Sequence, residues 1–332
     1  SATANKRGIT IATIGVGSFN CQFSSLYDFV VASSQGLNIS SASGSTITFS
    51  NNVTYNIHSE HLTNVATSGI QTFDSNVFIL NVTSAGWMVA FGDNGITFTN
   101  NTVVSGADSN RGGITFQEAI TDIGTFSGNT AHSNAGSGIN ITSSGGSSTY
   151  GIGGTISSTT SWRNGYGFSI LDFATTLALI IDTATLFGNA TANIDFVGYN
   201  VVMKNVTVNA GSVLTCPIGI RSQVSGSSAI MTIVNSTFGA TTTHATADIA
   251  LSGNGNLIQF TLKNVLLGSA TEISGLSALA ISAFISSQKH DQTLVNHKTW
   301  VRYGITQTDA VIFRGGSGIS ERLTPNSLSN KL

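Results

Sequence analysis

The chain has 332 residues, of which 37 are Gly, 45 Ser, 42 Thr and 29 Asn, so four small or turn-prone types fill about 46% of it. Charged residues make up only 8% and the formal net charge is -2, while hydrophobic residues reach 40% and the mean hydropathy is +0.21. This excludes an ordinary disordered chain, and the scarcity of Glu, Lys and Arg excludes a helical bundle or coiled coil. Without a Lys/Arg cluster, nucleic acid is not an expected partner. No apolar run reaches the roughly 18 residues of a membrane span; the nearest, 273–287, is interrupted by five serines and a glycine.

Residues 1–40, with Phe19, Phe23, Leu26, Tyr27 and Phe29, read as an N-terminal cap or lead-in segment. The opening SATANKRGIT lacks the apolar stretch of a signal peptide and has no initiator Met. The expectation is a processed chain or a fragment of a longer one.

From 41 to 285 the chain repeats itself. One phrase is an alternating strand that runs into an Asn or Ser/Thr turn: ITFSNNVTY (47–55), FILNVTSA (78–85), ITFTNNTVV (96–104), GTFSGNTAH (124–132), VMKNVTVNA (202–210), TIVNSTFGA (232–240) and FTLKNVLLG (260–268). It aligns Asn52, Asn81, Asn101, Asn129, Asn205, Asn235 and Asn264, at steps of 29, 20, 28, 76, 30 and 29, the 76 being three periods of about 25. In that gap GTISSTTSW (154–162) and DTATLFGNA (182–190) hold the place with the Asn replaced or shifted. Between copies lies a second phrase, a small residue followed by a short apolar strand, as in SGIQTF (68–73), GGITFQ (112–117), SGINIT (137–142), YGFSIL (166–171), ANIDFV (192–197), IGIRS (218–222) and ADIALS (247–252).

A mean period of about 26 residues is too short for a βαβ unit. It suits a coil in which each strand pairs in parallel with its equivalent one coil later, Ile, Val, Leu and Phe facing in and Thr, Ser and Asn facing out. The two prolines of the whole chain fit, because a strand paired on both edges cannot spare an N–H. Asn at the corners tolerates left-handed backbone and can stack its amide on the next coil. These phrases resemble the pectate-lyase-like solenoids. That resemblance implies an all-β fold, a right-handed single-stranded parallel β-helix of about nine or ten coils.

Residues 286–332 hold nine of the 28 charged residues. They break the repeat with TWVRYGI (299–305) and AVIFRGG (310–316) and read as a C-terminal attachment or oligomerisation segment.

Chemistry is sparse. Aligning the second phrase on its glycine places Glu118 and Asp172 in equivalent positions two coils apart, about 10 Å at the spacing of stacked strands. They form the one repeat-coherent acid pair and are weak catalytic candidates for a glycoside hydrolase or polysaccharide lyase. Adjacent Asp-Asp, Gly-His-Gly, G-x-S-x-G, H-E-x-x-H and P-loop motifs do not occur. His58 and His61 lack a third ligand, so neither a metal site nor a cofactor is expected. Trp162, Arg163, Asn164 and Tyr166 in WRNGYGF are weak carbohydrate-binding candidates, because aromatic faces beside amides and a guanidinium suit sugar rings. Cys21 and Cys216 match no redox or metal spacing and read as buried small hydrophobes, a disulfide being the other reading. Eight N-x-S/T sequons occur, about the number that this Ser/Thr content produces by chance.

Weakly charged β-helices of this kind resemble bacteriophage and virion appendages: tailspikes, tail fibres and capsid decorations. The resemblance implies a non-enzymatic, rigid virion structural protein on the virion surface or otherwise extracellular, contacting host-surface polysaccharide. It further implies attachment to other virion or surface-assembly proteins through the C-terminal segment, with a homotrimer as one assembly. The alternatives are a polysaccharide lyase or glycoside hydrolase on the same fold, and a cellular surface adhesin or extracellular filament subunit.

Overall fold

The computed structural model describes residues 9–11, 17–27, 36–39, 44–57, 62–64, 69–79, 89–91, 95–105, 112–116, 120, 122–141, 153–171, 178–197, 200–223, 229–251, 257–271, 273–274 and 283–286. They form an all-β parallel solenoid, the fold class and period expected from the repeat. Three parallel sheets of eleven, eleven and ten strands run its length, and every third strand in sequence is a neighbour in space. One coil is a strand from each sheet; Ser137–Ile141, Gly154–Ser157 and Thr160–Trp162 make a representative one. At about 4.8 Å per strand the stack is on the order of 50 Å long.

The strands are short and alternate. In Ala178–Asp182 the even positions face out while Leu179 and Ile181 are fully buried. Inward positions repeat from coil to coil. Phe49 pairs with Phe73, then Phe98, then Phe126 in the second sheet, with ring centroids 6.3 and 5.4 Å apart for the last two steps. Ile114, Ile139, Phe168, Ile194, Ile220 and Ile249 do the same in the first sheet. Each such side chain contributes about 1.5–3 kcal/mol by leaving water, against about 1 kcal/mol net for a hydrogen bond. Apolar burial therefore drives the fold, and the polar corners fix its register.

The corner between the second and third sheets takes two residues. The first has positive φ, as at Asn51, Asn100, Asn205, Asn235 and Asn264, and the second points into the core. Asn dominates the first position because it tolerates left-handed backbone better than branched residues do. At the second position four asparagines stack. The Asn52 backbone N–H donates to Asn76 Oδ1 at 2.9 Å, that of Asn76 to Asn101 Oδ1 at 2.9 Å, and that of Asn101 to Asn129 Oδ1 at 2.9 Å. Thr159, Ala184, Val206, Ser236 and Val265 take this place in later coils.

The sequence alignment of asparagines thus mixes two positions. Asn52, Asn101 and Asn129 are the inward residue, whereas Asn205, Asn235 and Asn264 are the left-handed one before it. The third coil's ladder residue is Asn76, and Asn81 lies outside the described residues. SGIQTF belongs to the second sheet, pairing with Ser45–Ser50. In the third coil Ser75 takes the left-handed position, so its turn reads Ser-Asn where the neighbouring coils read Asn-Asn.

Strands Ile9–Ile11, Ser18–Gln22 and Ser25–Tyr27, within the expected cap, each join one of the three sheets by parallel pairing. The attachment segment lies outside the described residues beyond Ser286.

Candidate functional site

The WRNGYGF residues sit at one corner but do not converge. Trp162 ends a third-sheet strand and points outward between rings of the adjacent coils. Its centroid is 4.3 Å from His132 at 14°, and 5.9 Å from Phe187 at 4°. The Arg163 guanidinium lies 5.2 Å from the Trp162 centroid. Both faces of the indole are therefore in use within the chain, and a sugar would meet ring edges.

Asn164 corrects the expectation more sharply. It is 1% exposed and belongs to a second amide ladder at the corner leading to the first sheet. The backbone N–H of Asn134 donates to Asn164 Oδ1 at 3.0 Å, and that of Asn164 to Asn189 Oδ1 at 3.0 Å. An inward carboxamide with both ends committed to the scaffold is not a sugar contact.

Tyr166 opens the next first-sheet strand, Tyr166–Ile170. Its hydroxyl accepts from Arg221 Nη2 at 2.8 Å, and the guanidinium carbon stands 5.0 Å from its ring centroid. Arg221 also makes a two-point pair with Asp195, Nε to Oδ1 at 2.8 Å and Nη2 to Oδ2 at 3.0 Å. Hydrogen bonding to Asp195 raises the guanidinium pKa above its ordinary value, against the cost of burial. This cluster pins three coils together.

Glu118 and Asp172 lie outside the described residues, as do His58 and His61. The strands that precede the two acids pair Ile114 with Ile139 and Ile139 with Phe168. Among the described residues no three His, Cys, Asp or Glu side chains come together as a metal site, and no helix is long and apolar enough to cross a membrane. Cys21 and Cys216 are both free thiols. Cys216 is buried and donates to the Ile218 carbonyl at 3.1 Å; burial pushes its pKa up to about 12.

Sequence reading missed one polar assembly. The second ladder continues from Asn189 through Asn193, whose Nδ2 contacts His244 Nε2 at 3.1 Å; His244 Nδ1 then meets Asp248 Oδ1 at 2.7 Å. The Ser269 hydroxyl donates to the same carboxylate oxygen, and its backbone N–H donates to Oδ2 at 2.9 Å. Ser, His and Asp are present, but the serine is bonded to the acid rather than to the imidazole, and all three are at most 3% exposed. A nucleophile needs its hydroxyl on the base and open to substrate, so this is a structural clasp. The i, i+4 spacing of His244 and Asp248 was the one sequence signal for it.

Comparison with protein-family models, with curated proteins and with solved structures finds no match. The class of protein is therefore defined by the fold alone, a parallel β-solenoid.

Proposed function

We propose that the chain is a structural rod of a surface assembly, of the virion appendage type, and not an enzyme. The observation that carries this reading is the continuous stack of three parallel sheets, locked at two corners by buried amide ladders. Neighbouring coils are held by core packing and strand pairing, and from Asn52 to Asn129 and Asn134 to Asn193 by amide bonds as well, which makes a stiff spacer. The indole faces of Trp162 and the amide of Asn164 are taken up by the same stacking, so the proposal needs no ligand at WRNGYGF.

Immunogold labelling and mass spectrometry of the intact particles or cells that carry the chain test this. Gold on the outer surface together with co-purifying capsid or tail proteins is expected. Label confined to the interior overturns the surface role, and co-purification with cell-envelope proteins alone replaces the virion reading with the cellular adhesin. Reducing-end release from a host polysaccharide by the purified chain would sink the non-enzymatic reading.

A further inference from the structure

The three outer faces differ in charge. The second sheet carries Asp74, Asp182, Lys204 and Lys263, and the first carries Arg221, paired with the nearly buried Asp195. The ten strands of the third sheet contain no Asp, Glu, Lys or Arg. Their outward positions form two columns along the rod. In one, Thr102, Thr130, Thr160, Thr185, Thr207 and Thr237 are successive partners. The other begins with Tyr27 and Tyr55, 62% and 38% exposed, and runs on through Ile79, Val104, His132, Trp162 and Phe187 to Asn209. The imidazole of His132 is held below its ordinary pKa by burial and by the charge of Arg163, which favours the neutral ring.

We infer that this third-sheet face is a self-association surface whose occupant is a second copy of the same chain. Three properties support a copy over another partner. The first is period: a face ridged about every 4.8 Å matches ridge for ridge along its whole length only a face of the same spacing. The second is charge, since strands without a charged side chain, with the Arg163 guanidinium at their corner, give little electrostatic steering to an acidic or basic partner. The third is area. Ten strands give a length of about 43 Å, and strands of two or three residues with their corners give a width of about 15 Å. The flat footprint is on the order of 650 Å², close to the about 800 Å² per partner of a stable interface.

The columns also set the symmetry. A two-fold axis parallel to the rod lays each column of one copy on the other column of its partner, so that the rings of His132, Trp162 and Phe187 meet Thr130, Thr160 and Thr185. Trp162 of one copy then faces Thr160 of its partner, and Arg163 stands at the rim.

Light scattering on the whole chain tests the inference. A species of twice 34.3 kDa is expected at micromolar concentration. Thr160→Lys with Thr185→Lys should convert it to monomer, with far-UV circular dichroism unchanged. Thr125→Lys with Thr155→Lys, on the outer face of the second sheet, should leave the dimer intact. If the inner pair of lysines unfolds the chain, Tyr27→Lys with Tyr55→Lys at the exposed end gives the same reading. A spin label at Ser25→Cys, in a Cys21→Ser background, should report a short distance between copies; about 40 Å would place the rods antiparallel and overturn the proposed axis. A wild-type monomer, a trimer, or a dimer indifferent to the third-sheet lysines overturns the surface itself.

Discussion

Asn189 accepts two hydrogen bonds from Asn164, one coil away: the backbone N–H reaches its Oδ1 at 3.0 Å and the side-chain Nδ2 at 3.1 Å. Its own Nδ2 then donates to Asn193 Oδ1 at 2.7 Å. One side chain thus terminates the coil before it and aligns the corner after it, at 0% exposure.

Asn189→Ala should consequently be costly. The Asn164 N–H loses its acceptor and Asn193 Oδ1 loses a donor, in a site closed to water. Leaving a buried polar group unsatisfied costs about 1–3 kcal/mol, so a loss of about 2–4 kcal/mol is expected from urea denaturation. A loss below about 0.5 kcal/mol would mean that the ladder contributes no net stability.

Gly124 has φ +71, and a Cβ there would stand 2.2 Å from the Ile96 carbonyl oxygen. Gly124→Ala adds left-handed strain to a backbone clash, where Gly95, at φ +68, has open space. Thermal midpoints should show Gly124→Ala well below Gly95→Ala. Equal midpoints would refute the clash.

Stability should fall on the acid side in two windows. His132 has a folded pKa below the ordinary 6.5, so the unfolded chain takes up the proton first, and stability drops as pH falls below 6.5. His132→Phe should remove that slope. Asp74 and Asp182 are held below 3.8. For Asp74 the Thr99 hydroxyl is the main cause; for Asp182 burial acts upward and is outweighed by Asn205, Lys204 and Thr183. Their contribution is present above 3.8 and is lost as pH falls through the folded values. Denaturation midpoints measured from pH 7.5 to 3 check both windows.

Cys216 should resist thiol reagents in the folded chain. With its pKa pushed from 9.0 to about 12, the reactive thiolate is suppressed. Stability should decline between those values as the unfolded thiol ionises first. Labelling followed by peptide mass spectrometry should find Cys21, which is half-buried, modified before Cys216. Equal labelling rates would show that the eighth-to-ninth coil corner opens freely.

Much of the fold was legible in the sequence because its signals are local. Alternation in pieces such as ITFSNNVTY, the turn residues after them and the near absence of proline specify short strands, corners and a period without reference to anything distant. The sequence could not say which of two consecutive corner residues turns inward. Asn51 and Asn52 are the same residue type, and only the stacking of a neighbouring coil, 24 or 25 residues away, makes one a left-handed hinge and the other a buried rung. The same non-local pairing took the faces of Trp162 for His132 and Phe187, drew Asn164 into the core, and joined Asn193, His244, Asp248 and Ser269 from three coils. Composition and periodicity determined that this chain is a β-solenoid; the register between coils decided which of its polar side chains remain available to anything outside it.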